Sequence, residues 1–276
     1  MNLPAIGIMQ GRLSPSPHGR MQFSPPLWER EFALARDFGF SSIEWLLEDR
    51  DAGGAILSRS GRVAISQAAA AHKVRLASIC FDYPMKHVPY GEDAVSLFRA
   101  TVEASHILGV PIVSFPLLEA YAPRSEYDQS RIVEAFAPFM PDMHRYGVCV
   151  AFELEMSAHD SLDFIQKFHS PNVGVCYDIG NATSYGYDCP REIRTLGHHI
   201  FDVHLKDRCV HSTESVMLGS GNADFRRCLE ALEDIQYRGP YIMQAWRGED
   251  YLGDAKRQLA YLATQFPPVE VPYGPV

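Results

Sequence analysis

The feature that most limits what this chain can fold into is an eightfold alternation of short apolar runs with longer segments of helical period. The runs are AIGIMQ (5–10), SSIEWL (41–46), RLASICF (75–81), PIVSFP (111–116), VCVAFELE (148–155), NVGVCYD (172–178), IFDVHLK (200–206) and GPYIMQAW (239–246). They are nearly continuous in apolar residues, as strands are when both faces of a parallel sheet are covered. Between them, PPLWEREFALARDFG starts on prolines and stops on glycine, and GEDAVSLFRATVEASHILG lies between two glycines with acids in its first turn; these are helix start and stop signals. RSEYDQSRIVEAFAPFMPDMHRYG, AHDSLDFIQKFH, REIRTLGHH, NADFRRCLEALEDIQYRG and LGDAKRQLAYLATQF follow the same logic, and 55–73 supplies the remaining helix. Eight strand–helix units in 276 residues predict an α/β fold, a (β/α)8 TIM barrel. A doubly wound sheet is the competing arrangement, because periodicity does not show closure. No linker, charge block or low-complexity segment divides the chain, so residues 1–276 read as one domain. Its proline-rich end, 267–276, is expected to lie extended on the surface.

Composition removes several function classes. The formal net charge of −9 argues against a general binder of nucleic-acid backbone. No run approaches the ~20 apolar residues of a membrane helix, and the first residues lack a signal-peptide pattern. None of the six cysteines forms a C-x-x-C pair, and Cys80, Cys149 and Cys176 sit inside apolar runs, where a thiol acts as a small hydrophobe. A reduced, cytoplasmic protein is the expectation.

Active sites of such barrels are built where the strands end. Here the ends carry Gln10 and Arg12, Glu44 and Glu48, Asp82, Glu119, Glu153 and Glu155, Asp178 and Asn181, His204, Lys206 and Asp207, and Gln244 and Arg247. Polar groups on apolar strands are costly unless paired or used for binding. Glu153, Asp178 and His204 fall on consecutive strands, and two carboxylates with an imidazole suit one divalent metal: Mn²⁺, Co²⁺, Zn²⁺ or Mg²⁺. Gln244 can complete the set through its amide oxygen, yet it cannot accept a proton. Each residue also has a structural reading: His204 as a core histidine, Asp178 as a turn cap, Lys206 with Asp207 as a surface ion pair, Glu44 and Glu48 as solvated. Glu153 and Glu155 alternate, so only one faces the barrel interior. Trp45, Phe115, Tyr185 and Trp246 are candidates to shape a pocket or simply to pack.

GIMQGRLSP (7–15), SIEW (42–45), SICFDY (78–83), PNVGVCYDIGNATSYGYD (171–188), VHLKDR (203–208) and IMQAWRGED (242–250) resemble the sugar phosphate isomerase/epimerase family, the xylose isomerase-like TIM barrels related to the AP endonuclease family 2. The resemblance implies one divalent metal on Glu153, Asp178, His204 and Gln244. Many family epimerases carry Glu at the last position as ligand and acid/base, so Gln244 departs from the two-glutamate pattern. The endonuclease relatives need a histidine where this chain has Asn181, which together with the charge counts against a nuclease.

The function expected is a metal-dependent isomerase or epimerase of a small sugar or sugar phosphate, passing through an enediolate. Glu153 is the expected base. Glu44 and Asp82 are the candidates for the second acid/base role. Arg12, Asn181, Lys206 and Arg247 are expected at the substrate, with Lys206 also stabilising oxyanion charge. The alternatives are a metal-dependent lyase or dehydratase on the same barrel, and a non-catalytic sugar-binding protein. The expected partner is the small-molecule sugar, with neither nucleic acid nor membrane, and a homo-oligomer is compatible with the sequence.

Overall fold

The computed structural model describes residues 5–16 and 20–266, so the C-terminal tail expected at 267–276 lies outside the described residues. Strands β1 (Ile6–Met9), β2 (Ser42–Leu47), β3 (Arg75–Phe81), β4 (Ile112–Leu117), β5 (Cys149–Leu154), β6 (Val173–Asp178) and β7 (Ile200–Leu205) run parallel. A two-stranded ribbon, β8 (Asp207–Arg208) with β9 (Ser215–Val216), follows β7. The last barrel strand, β10 (Tyr241–Met243), pairs with both β7 and β1, so the sheet closes. Closure answers the question that periodicity leaves open, and the barrel is the fold.

The helices are α1 (Glu29–Phe38), α2 (Arg59–His72), α3 (Glu92–Leu108), α4 (Glu126–Phe136), α5 (Met140–Tyr146), α6 (Ala158–Gln166), α7 (Ile179–Ser184), α8 (Cys189–Leu196), α9 (Phe225–Asp234) and α10 (Tyr251–Gln265). Ser125 and Asp128 form a reciprocal cap at the start of α4. The helix expected over 124–147 is two helices, separated by a 3-10 turn at Ala137–Phe139. Pro138 and Pro141 explain the break, since each removes an N–H and crowds the preceding turn. Neither the short α7 nor the β8–β9 ribbon is foreseen by the apolar pattern. Both follow strand ends that carry polar residues, Asp178 and Lys206, where apolar periodicity is silent.

Alternation along the strands separates two layers. Ile43, Trp45, Leu47, Phe81, Phe115 and Phe152 join the large core between barrel and helices. Met9, Leu46, Ala77, Cys80 and Ile242 form a smaller cluster of their own, as do Ile112, Ala151 and Cys176. Trp45 and Phe115 are fully buried in the outer core, so neither shapes a pocket at the barrel mouth. The outer cluster is rich in edge-to-face aromatic pairs, among them Phe81 with Phe115 at 5.1 Å and Phe98 with Phe136 at 4.9 Å. That rigid layer fixes the strands whose inward residues build the site.

Candidate active site

Register sets the site's layers. Asp178 on β6 stands directly beside His204 on β7, and His204 stands beside Ile242 on β10. Gln244 therefore belongs one layer higher, level with Lys206. Glu153 pairs across to Pro116 on β4. On the other side of the barrel, Glu44 stands beside Ser78 after a register shift between Ile43 and Glu44.

Glu153, Asp178 and His204 converge as the strand ends suggest. His204 Nδ1 lies 3.5 Å from Glu153 Oε2 and 4.0 Å from Asp178 Oδ2. Asn181, in the first turn of α7, ties the two carboxylates together: its N–H donates to Asp178 Oδ1 at 2.7 Å and its Nδ2 to Glu153 Oε1 at 2.6 Å. Asp178 thus caps α7, one of the two readings the sequence offers, and its other oxygen faces His204. Asp178 Oδ2, Asn181 Oδ1 and His204 Nδ1 are buried without a hydrogen-bond partner among the described residues. Such atoms are expensive in a protein interior unless something binds them. One atom each from Glu153, Cys176 and His204 also lie within 4.8 Å of one another.

The structure places Gln244 against Lys206, whose Nζ donates to Gln244 Oε1 at 3.2 Å and lies 3.4 Å from Asp178 Oδ2. Gly180 lets β7 come this close, since a Cβ there would meet the Lys206 backbone at 2.9 Å. Burial pushes the Asp178 carboxyl up, but Lys206, His204 and the Asn181 N–H outweigh it and hold it below the usual range. Burial alone would pull the His204 imidazole down; Cys176, Glu44 and Glu153 together raise it well above its ordinary value.

Glu44 is not at the mouth. It is fully buried beneath His204, with Oε2 3.1 Å from His204 Nε2, and Ser78 and Ser114 each donate to its Oε1 at 3.0 Å. Asp202, two residues before His204, joins this lower cluster. Burial, then the Glu44 charge, lift its carboxyl to about 8. Asp82, the residue after β3, is nearly buried, and burial with the charges of Glu48 and Glu153 lifts it to about 7, against the pull of Lys86 and Arg20. Glu48 is not solvated: it pairs with Lys86 at 2.7 Å and with Arg20, and accepts from the Ser24 N–H. Glu155 faces away from Glu153's layer, accepts the Glu119 N–H and pairs with Arg124.

Arg12 and Arg247 serve the backbone. Arg12 donates to the carbonyls of Ala245 and Met21. Arg247 donates to those of Gly11, Ser14 and Arg20, and its guanidinium stacks on Phe23 at 4.6 Å. Burial, then the charge of Arg247, bring Arg12 down to about 9. Beneath them Glu31 accepts from Gly11 N–H, Leu13 N–H and the Ser14 hydroxyl. Lys206 and Asp207 are not a surface pair. Asp207 is fully buried and takes the N–H groups of Gly219, Gly221 and Ala223, fixing the loop before α9.

Above Lys206 opens a cavity of about 420 Å³ whose lining includes Arg12, Arg208, Arg247, Ser215 and Trp246. Among the described residues, four cationic side chains face one carboxylate, Glu214, there, which suits an anion. Tyr185 is 41% exposed and does not line this cavity. Sequence reasoning misses Asp202, Arg208, Glu31 and the serines beneath Glu44. Parity could have found Asp202, which shares His204's face of β7.

No helix among the described residues is long and apolar enough to cross a membrane, and all six cysteines are free. L-ribulose-5-phosphate 3-epimerase of Salmonella paratyphi A is 27% identical over 234 residues, 79% of this chain and 82% of that protein. Among solved structures, an L-ribulose 3-epimerase superposes with a TM-score of 0.73 at 21% identity, covering 94% of this chain and 93% of that one. D-allulose 3-epimerase from Methylomonas sp. gives 0.74 at 18% identity, covering 95% and 98%. The family model described as xylose isomerase-like TIM barrel matches residues 32–265. With the closed barrel and the buried polar cluster at its mouth, that match makes this chain a member of the xylose isomerase-like TIM-barrel family.

Proposed function

We propose that the protein is an epimerase acting on a ketose phosphate, moving a proton at a carbon next to the carbonyl. The observation that carries this reading is the convergence of Glu153 Oε2, Asp178 Oδ2 and His204 Nδ1, the last two without hydrogen-bond partners among the described residues. This donor set of carboxylate oxygens and imidazole nitrogen fits a divalent ion, held by Glu153, Asp178 and His204, with the Gln244 amide oxygen available if Lys206 turns aside. When bound, such an ion supplies Lewis acidity to the substrate's carbonyl and hydroxyl oxygens.

The chain's own groups do the rest. Glu153 removes the proton, its other oxygen held by Asn181. Gln244 cannot return a proton, and Glu44 lies beneath His204. Asp82 is therefore the second acid/base group, and a carboxyl near 7 exchanges protons readily at neutral pH. Lys206 stabilises charge developing on the substrate oxygens beside Asp178. The phosphate occupies the cation-lined cavity, where Arg208 Nε is buried with no hydrogen-bond partner among the described residues. The relatives' 3-epimerase activities support epimerisation over elimination or simple binding.

The test is proton exchange. Purified protein, metal-free and then supplied with Mn²⁺, Co²⁺, Zn²⁺ or Mg²⁺, is incubated in D₂O with a panel of ketoses and ketose phosphates. Deuterium at the carbon beside the carbonyl, with formation of the epimer, is the expected result. Substrate binding without exchange would mean a sugar-binding protein, and loss of water from the substrate would mean a lyase.

A further inference from the structure

We infer that Glu44 is the positioning residue of His204: it anchors Nε2 toward the barrel floor and so presents Nδ1 to Glu153 and Asp178. The two ring nitrogens meet different surroundings. Nδ1 faces the carboxylates of β5 and β6, while Nε2 lies 3.1 Å from Glu44 Oε2. Among the described residues neither Nε2 nor Glu44 Oε2 meets the geometry of a hydrogen bond with any group, so this 3.1 Å approach is the contact that each atom makes.

Glu44 is itself held in place. Ser78 from β3 and Ser114 from β4 both donate to Oε1, and His204 and Glu44 are completely enclosed. A carboxylate buried this deeply is costly unless its partners are fixed. Three strands cooperate to fix it, and the oxygen left over points at the histidine. An imidazole whose far nitrogen is tied to a carboxylate has its ring orientation and its free nitrogen determined in advance, which strengthens that nitrogen as a ligand. Asp202 is the rival anchor, because one of its oxygens shares the cluster with Glu44 and His204. Its Oδ1, however, accepts the Val203 N–H, and the carboxylates within 4.0 Å of the His204 ring nitrogens among the described residues are those of Glu44, Glu153 and Asp178.

The experiment compares the parent with Glu44→Leu, Glu44→Gln and Asp202→Asn. The first readout needs no metal: ¹⁵N–¹H correlation of the His204 imidazole in the metal-free protein. A slowly exchanging Nε2–H is expected in the parent, Glu44→Gln and Asp202→Asn, and lost in Glu44→Leu. The second readout is titration with Co²⁺ or Zn²⁺ alone, and it rests on the metal-assisted reading above. Affinity is expected to fall roughly 10- to 100-fold in Glu44→Leu, and less in Glu44→Gln, which keeps an acceptor oxygen. Thermal unfolding checks that each variant is folded; if Glu44→Leu is not, Glu44→Ala takes its place, and the same loss of the Nε2–H signal is expected. Loss of the signal in Asp202→Asn rather than in the Glu44 variants would overturn the assignment. So would a parent with no protected Nε2–H, or equal metal affinity in parent and Glu44→Leu. A parent that binds no divalent ion would remove the metal reading and leave the NMR comparison to decide the role of Glu44.

Discussion

On the β5–β7 side of the barrel mouth, buried polar atoms of three strands point at one another with hydrogen-bonding capacity unmet; on the β1–β10 side, buried charges are tied mainly to backbone, with Arg247 Nε alone left over among the described atoms of Arg12, Glu31 and Arg247. Glu153, Asp178 and His204 converge, with Asp178 Oδ2 and His204 Nδ1 lacking hydrogen-bond partners among the described residues. Arg247, Arg12 and Glu31 instead satisfy carbonyls and N–H groups of the loop after β1 and of the β10 end. Both sides carry ionisable residues at strand ends, and the sequence does not distinguish them. Buried charges at a barrel mouth are therefore told apart by how many neighbouring groups from different strands are left with open hydrogen-bonding capacity together.

The largest effect is expected from Glu153→Ala. Removal of the proposed base should lower turnover by about 10³-fold or more, while the protein stays folded. A variant with parental proton exchange would remove the β5–β7 side as the reactive half. Arg247→Met tests the opposite half. It strips donors from the buried carbonyls of Gly11 and Ser14, and a stability loss on the order of 3 kcal/mol is expected in chemical denaturation. A large KM change with unaltered stability would instead return Arg247 to the substrate role expected from sequence.

Asp82→Asn is expected to cost about 10²-fold in turnover, and it has a second signature. The folded carboxyl is raised from 3.8 to about 7 by burial and by Glu48 and Glu153, with Lys86 and Arg20 opposing. A raised carboxyl favours the folded state at low pH and loses that advantage as pH rises through about 7. The variant lacks this loss. Its stability relative to the parent should therefore grow from about pH 4 to about pH 7 and level off above, by up to about 1.4 kcal/mol for each pH step of one across that window. A pH-independent difference would mean that Asp82 titrates normally.

Two smaller effects probe the boundary between the halves, where Gln244 and Lys206 meet. Gln244→Glu adds a negative charge beside Asp178, and divalent-ion affinity should tighten about tenfold; unchanged affinity would place residue 244 outside the ligand set. Arg208→Met should raise KM about tenfold for a phosphorylated ketose, and leave the unphosphorylated sugar unaffected. An equal effect on both substrates would deny the cavity its phosphate.

The barrel itself was legible because eight apolar runs separated by amphipathic segments leave few other ways to cover every strand. Glu153, Asp178 and His204 were legible for a related reason: polar residues closing otherwise apolar strands stand out against their neighbours. Local chemistry likewise marked the helix stops at Gly39 and Gly109, where left-handed backbone is required. Closure of the sheet depends on the β1–β10 pairing of residues more than two hundred positions apart, and only the folded arrangement settled it. Register settled the rest. A shift at Ile43/Glu44 sets Glu44 beside Ser78 and under His204, and the pairing of Ile242 with His204 lifts Gln244 to the level of Lys206. Arg12 and Arg247 look in sequence like any cations near an anion site, because the carbonyls they meet belong to a distant loop. Composition and spacing report which groups a strand end offers. Which of those groups remain unsatisfied depends on partners brought from other strands, and only the folded chain supplies them.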